Sequence, residues 1–124
     1  MCESLCVCFV DDEPDILVPI QLQLERLGIK SHTFATADAL LQSEALKRAA
    51  CVVVDFQPRE TSGLALLQEL RRLDYRMPVI MTAGAPSAAD AIQAFESGAT
   101  AFFEKPFDIE KFVAAVQRAK LSRS

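Results

Sequence analysis

Four short apolar runs, each closed by a polar residue and separated by segments of helical periodicity, constrain this chain more than any other feature. Residues 5–10 lead into Asp11-Asp12, and residues 51–54 lead into Asp55. Residues 78–81 lead into Thr82, and residues 101–103 run through Glu104 to Lys105. Runs this short and this continuously apolar read as strands buried on both faces, as in a parallel sheet covered by helices. In an open parallel sheet, ligands bind beyond the carboxyl ends of the strands. Asp11, Asp12, Asp55, Thr82 and Lys105 are therefore expected to converge on one edge, although they lie far apart in sequence.

The segments between the runs fit helices. Pro14 and Asp15 can open one that runs to about Leu27, with Ile16, Ile20, Leu24 and Leu27 at helical spacing and Gly28 stopping it. Inside that helix Pro19 would remove a hydrogen bond and clash with the preceding turn, so it is expected in or near the first turn, or at a bend. Ile29 to Phe34 reads as a second strand, with His32 at its end or in the turn after it. Thr36 caps a helix through Leu40 and Leu41 toward Leu46. After Asp55 a loop over 56–62 precedes a helix opened at Gly63, with Leu66, Leu67, Leu70 and Leu73 as its apolar stripe. A further helix over about 87–97 is expected to bury Ala91, Ile92 and Phe95 and to end at Gly98. Asp108 caps the last helix, where Ile109, Phe112, Val113 and Val116 follow the i, i+3, i+4, i+7 pattern. Right-handed crossovers put such helices on both faces of a parallel sheet. The fold expected is an α/β three-layer sandwich forming one domain over 1–124.

Composition excludes several function classes. At 124 residues the chain can bury roughly two-thirds of its unfolded surface. A net charge of −4 leaves no basic footprint, so this domain is not expected to touch nucleic acid directly. No apolar run approaches the roughly 18 residues that span a membrane, and no signal peptide is evident, so a cytoplasmic setting is expected. Cys2, Cys6, Cys8 and Cys51 form no Cys-x-x-Cys pair and have no His nearby. They read as reduced thiols, with Cys6 and Cys8 on one face of the first strand and Cys51 opening the third. His32 is given no catalytic role.

Three carboxylates at one sheet edge carry the chemistry. At about 4 Å each like-charge pair costs on the order of 1 kcal/mol in water, and several times that when partly buried. Helix capping, which Asp12 or Asp15 could do for the first helix, does not demand three acids at two strand ends. Such a cluster calls for a cation, and all-oxygen ligands suit Mg²⁺ or Mn²⁺. A carboxylate beside such an ion can act as a nucleophile toward a phosphoryl group, giving an aspartyl phosphate. Lys105 and the Thr82 hydroxyl can then hold phosphoryl oxygens.

The residues in this order resemble the receiver domains of two-component response regulators, the CheY-like fold, over essentially the whole chain. The matching elements are Asp11-Asp12, Asp55 with Gly63 eight residues later, residues 78–83, Gly98-Ala99 and Lys105-Pro106-Phe107. Residues 98–107 look most like the FixJ-like subgroup of transcriptional regulators. The resemblance implies a five-stranded parallel sheet in the flavodoxin-like order 2-1-3-4-5. It implies Asp55 as phosphoacceptor, and Asp11, Asp12, Asp55 and the backbone carbonyl of Gln57 as Mg²⁺ ligands. It implies Thr82 and Lys105 as phosphoryl-binding groups, Thr82 and Phe102 as switch residues, and an output face with Glu104 and Lys111 near its rim. The implied partners are a sensor histidine kinase, an effector domain or partner protein, and a second copy in a phosphorylation-dependent homodimer. The domain's chemistry would be confined to its own phosphorylation and dephosphorylation, without a separate enzymatic substrate.

One departure stands out. Receivers commonly carry Met-Pro at the third and fourth positions after the phosphoacceptor, where this chain has Pro58-Arg59. Pro58 fixes its own φ and restricts Gln57, while Arg59 can reach over the acids. A haloacid-dehalogenase-type phosphatase would need a second acid where Gln57 stands. A flavodoxin-like FMN protein would need a phosphate-binding loop where Asp11-Asp12-Glu13 repels phosphate. The remaining rivals are an unphosphorylated pseudo-receiver, and a single-domain receiver in place of a regulator continuing into an effector beyond Ser124.

Overall fold

In a computed structural model of the chain, the apolar runs are strands and the periodic segments are helices. The structure describes residues 6–11, 14–56, 63–84, 87–105 and 107–123, with backbone alone at 14–16 and 120–123. The elements alternate along the chain. Strand β1 (Cys6–Val10) is followed by α1 (Pro14–Arg26), β2 (Lys30–Phe34) and α2 (Ala37–Leu41). A 3₁₀ turn (Glu44–Arg48) leads into β3 (Ala49–Asp55) and α3 (Gly63–Arg72). Then come β4 (Val79–Ala83), α4 (Ala88–Glu96), β5 (Ala101–Glu104) and α5 (Ile109–Arg123). All pairings are parallel, in the order β2-β1-β3-β4-β5. This is the expected three-layer sandwich.

Strand alternation divides the core in two. Cys6, Cys8, Val10, Val52, Val54, Val79 and Met81 face α2, α3 and α4. Val7, Phe9, Cys51, Val53 and Ile80 face α1 and α5. Every residue of the three central strands is buried, which is why their sequences read as unbroken apolar runs. Fully burying a side chain such as Ile20, Leu24 or Phe112 is worth roughly 1.5–3 kcal/mol.

The helices depart from expectation where local pattern was ambiguous. The first helix ends at Arg26, with Leu27 half-exposed and Gly28 at φ +76° turning the chain. Pro19 lies inside that helix, on its exposed side, rather than in the first turn. β2 opens at Lys30 rather than Ile29, and His32 is an exposed residue in its middle. The helix expected from Thr36 toward Leu46 is two elements. Thr36 Oγ1 accepts from Ala39 N at 3.1 Å to cap α2, and Ser43 Oγ accepts from Ala45 N at 3.1 Å to cap the 3₁₀ turn. A second capping hydroxyl starts a second element because it satisfies backbone donors that a continuous helix would engage. Leu73 falls beyond α3 and is 44% exposed.

The largest correction is in α4. Ala94 is buried and Ala91 half-buried, but Ile92 and Phe95 are 58% and 50% exposed. The segment is apolar around most of its circumference, so periodicity does not choose a face. The small alanine side lies inward. Ser87 and Asp90 form a reciprocal capping box at the start of this helix. Its far end is tied to α3 by Arg71, whose guanidinium donates to the carbonyls of Tyr75, Met77 and Gly98 at 2.9, 2.9 and 3.0 Å.

Three thiols are free and buried. Cys6 and Cys8 share one face as expected. Cys51 lies on the other face and is the third residue of β3 rather than its first. Cys2 lies outside the described residues. Burial, with Cys6 adding to it at Cys8, pushes the Cys8 and Cys51 thiols from 9.0 up to about 12. Below pH 9 both states hold these protons, so the thiols add no pH dependence. Between 9 and about 12 the unfolded chain ionises first, and stability falls as pH rises. The urea midpoint should therefore drop across that window. It should drop less steeply in the Cys8→Ala, Cys51→Ala double variant; parallel declines would contradict the burial.

Candidate functional site

The strand register brings the chemistry to one edge. Val10 is level with Val54, Asp55 with Thr82, and Thr82 with Phe103. Asp11, Asp55 and Thr82 thus lie level on three adjacent strands, and Lys105 follows β5 two residues past the level of Thr82. Backbone bonds continue the ladder past the strand ends. Asp11 N donates to Phe34 O at 3.1 Å, Phe56 N to Thr82 O at 2.6 Å, and Lys105 N to Ala83 O at 2.7 Å. Strand ends held this way give side chains fixed origins.

Asp11 (8% exposed), Asp55 (9%) and Thr82 (3%) are the buried polar or charged residues among those described. Polar groups are buried at a cost unless they are partnered, so three together at one edge mark a built site. Lys105 supplies the counter-charge: its Nζ donates to Asp55 Oδ2 at 3.0 Å and to Asp11 Oδ2 at 3.2 Å. Burial alone would lower the lysine's pKa, but the Asp55 hydrogen bond and the charges of Asp11 and Asp55 outweigh it, and the pKa is raised. The ammonium is therefore fully charged at neutral pH.

The four side chains also share a face. Asp11 continues the alternation of Val7 and Phe9, Asp55 that of Cys51 and Val53, Thr82 that of Ile80, and Lys105 that of Phe103. Accordingly Asp11, Thr82 and Lys105 line one small void of ≈ 10 Å³ with Phe9, Val53, Phe107 and Phe112. Phe102 points the opposite way and is half-buried, meeting Phe56 edge-on at 5.8 Å between ring centroids. Phe56 follows Asp55 directly and bonds to the backbone of Thr82, a link that sequence reading passed over.

Gly63 is a second such link. It opens α3, its N–H donates to Phe56 O at 2.7 Å, and a Cβ there would overlap the Asp55 carbonyl. The only sequence signal for this close approach is its spacing from Asp55.

Asp12, Gln57, Pro58 and Arg59 lie outside the described residues. Among the described residues, no group of three metal-ligating side chains converges. The donor set that is described, two buried carboxylates at one strand edge, is all oxygen and fits a hard divalent ion such as Mg²⁺. No helix is long and apolar enough to cross a membrane among the described residues.

Comparison with known proteins decides the family. A family model of the response regulator receiver domain matches residues 7–117. The chain belongs to that family. Over its full length the receiver is 36% identical to the transcriptional regulatory protein FixJ of Azorhizobium caulinodans, covering 58% of that protein. It is 34% identical over 115 residues to the nitrogen assimilation regulatory protein NtrX of the same organism, covering 91% of this chain and 25% of that one. The chain thus spans little more than half, or less, of the relatives it matches. Among solved structures, the crystal structure of FixJ-N superposes with a TM-score of 0.82 at 27% identity, covering 97% of this chain and 96% of that one. The BeF3-activated DrrB receiver domain gives a TM-score of 0.85 at 26% identity, covering 98% and 100%. The receiver is therefore a module of two-component signalling, with transcriptional regulators among its relatives.

Proposed function

We propose that this receiver, spanning 1–124, accepts a phosphoryl group on Asp55 from the phosphohistidine of a sensor kinase and passes the change to an output. The observation that carries this is the pair of ion contacts from Lys105 to Asp55 and Asp11 beside buried Thr82. An Asp55 carboxylate oxygen attacks phosphorus, a P–O bond forms, and the P–N bond to the donor imidazole breaks. The imidazole leaves with its electron pair and takes up a proton. The Lys105 ammonium, already at the Asp55 oxygen, receives one phosphoryl oxygen, and the Thr82 hydroxyl donates to another.

Asp11, Asp12, Asp55 and the Gln57 backbone carbonyl would hold Mg²⁺ or Mn²⁺. A divalent ion bound there neutralises charge on the transferring group. The chemistry is confined to the domain's own phosphorylation and dephosphorylation, in a cytoplasmic setting.

The readout runs through Thr82 and Phe102. A phosphoryl dianion gives the Thr82 hydroxyl a strong acceptor and draws the end of β4 inward. Phe56, bonded to Thr82 and in edge contact with Phe102, carries that shift to the opposite face of the sheet. Two conformations of α4 and β5 then exchange populations according to how differently they bind the modified site. The outcome is dimerisation, or release of an effector domain, through a surface rimmed by Glu104 and Lys111. Direct contact with DNA is left to the effector.

Incubation with acetyl phosphate and Mg²⁺ should add one phosphoryl mass to the wild type, and chelation should prevent it. Thr82→Ala should still be phosphorylated but should lose the phosphorylation-dependent change in oligomeric state or partner binding. An unmodified wild type would support an unphosphorylated interaction module. A Thr82→Ala protein that switched normally would remove Thr82 from the relay.

A further inference from the structure

Lysine is a flexible four-carbon stem, so something must hold the Lys105 ammonium at two acids. Its main-chain N–H donates to Ala83 O at 2.7 Å, which fixes the backbone but not the stem. Three aromatic residues lie close to it along the chain or across the void it lines. Phe103 precedes it on β5, Phe107 follows it by two residues, and Phe112 rises from α5. Phe107 and Phe112 stack at 4.8 Å with planes 16° apart. Phe103 meets them at 5.9 Å and 5.3 Å. Phe107, Phe112 and Lys105 line the same ≈ 10 Å³ void with Asp11 and Thr82, so these two rings border the same space as the polar groups of the site.

We infer that Phe107 is a positioning residue for Lys105: its ring, clamped by Phe103 and Phe112, closes the space into which the lysine stem would otherwise fold. Phe112 is fully buried and anchors the stack to α5, while Phe107 is only half-buried and belongs to the segment that follows Lys105. Shortening Phe107 enlarges the void beside the stem. The ammonium then gains rotamers that point away from Asp55, and the site loses preorganisation without losing any group that touches phosphate. This rests on the proposed role of Lys105 in phosphoryl transfer.

The test compares phosphorylation rates with acetyl phosphate and Mg²⁺ in wild type, Phe107→Ala and Leu24→Val, the last a core change under α1 remote from the site. Urea midpoints, measured with chelator present, record what each change does to the fold. Phe107→Ala should slow phosphorylation roughly tenfold, and Leu24→Val should leave the rate unchanged whatever it costs in stability. In the same melts, Lys105→Met should shift the midpoint of wild type at least twice as far as that of Phe107→Ala, since in the latter the ammonium is no longer held. If Phe107→Ala does not fold, Phe107→Leu is read on the same terms. Equal rates for the Phe107 variant and the control, or equal midpoint shifts in the two backgrounds, would overturn the inference and leave the phosphoacceptor role standing. A wild type that takes up no phosphoryl group would overturn both.

Discussion

Gly63→Ala should destabilise the receiver by about 2–4 kcal/mol and displace Asp55, the proposed phosphoacceptor, although the change adds only a methyl group. Gly63 sits where α3 turns back against the end of β3. An added Cβ would overlap the carbonyl oxygen of Asp55 and stand 2.9 Å from Phe56 Cα. Both are backbone atoms, so no side-chain rotation relieves the contact. The chain must instead move Asp55 or break the bond from Gly63 N to Phe56 O. Moving Asp55 takes its carboxylate from Lys105, so stability and phosphorylation should fall together. Urea unfolding and acetyl phosphate labelling of the same preparation measure both. A stability loss below roughly 0.5 kcal/mol with normal labelling would contradict this packing.

Asp55→Asn should leave the fold intact and reduce phosphoryl uptake to nothing measurable. The substitution is nearly isosteric and replaces the carboxylate proposed as nucleophile with an amide that has no nucleophilic anion. Lys105 keeps its partner Asp11 at 3.2 Å, so the lysine is not stranded. Stability should therefore change far less than for Gly63→Ala. Intact mass after acetyl phosphate treatment is the readout, and residual labelling near the wild-type level would place the acceptor elsewhere.

What was legible in the sequence follows from burial. β1, β3 and β4 are buried on both faces, and their apolar runs announce both the strands and the residues at their ends. Asp11, Asp55 and Thr82 were found this way, and Lys105 from the shorter run of half-buried β5, because strand ends in a parallel sheet have nowhere else to converge. The strand order came from resemblance, since no local pattern fixes which strands are neighbours. Helix faces were less legible. Ile92 and Phe95 lie outward because Ala94 lets α4 approach the sheet, a choice made by packing rather than periodicity. The break between α2 and the 3₁₀ turn was signalled by Ser43, a second capping residue read as part of one helix. The Gly63 approach and the ring stack behind Lys105 depend on tertiary contact and leave only faint traces in spacing.

Borohydride trapping of the phosphorylated wild type tests the central claim most directly. Reduction converts the aspartyl phosphate to homoserine, releasing phosphate, and peptide sequencing by mass spectrometry then locates the altered residue. The convergence of Asp11, Asp55, Thr82 and Lys105 predicts homoserine at position 55 alone, dependent on Mg²⁺ during phosphorylation. Homoserine at position 11, at position 12 or at any acid outside this edge would contradict it.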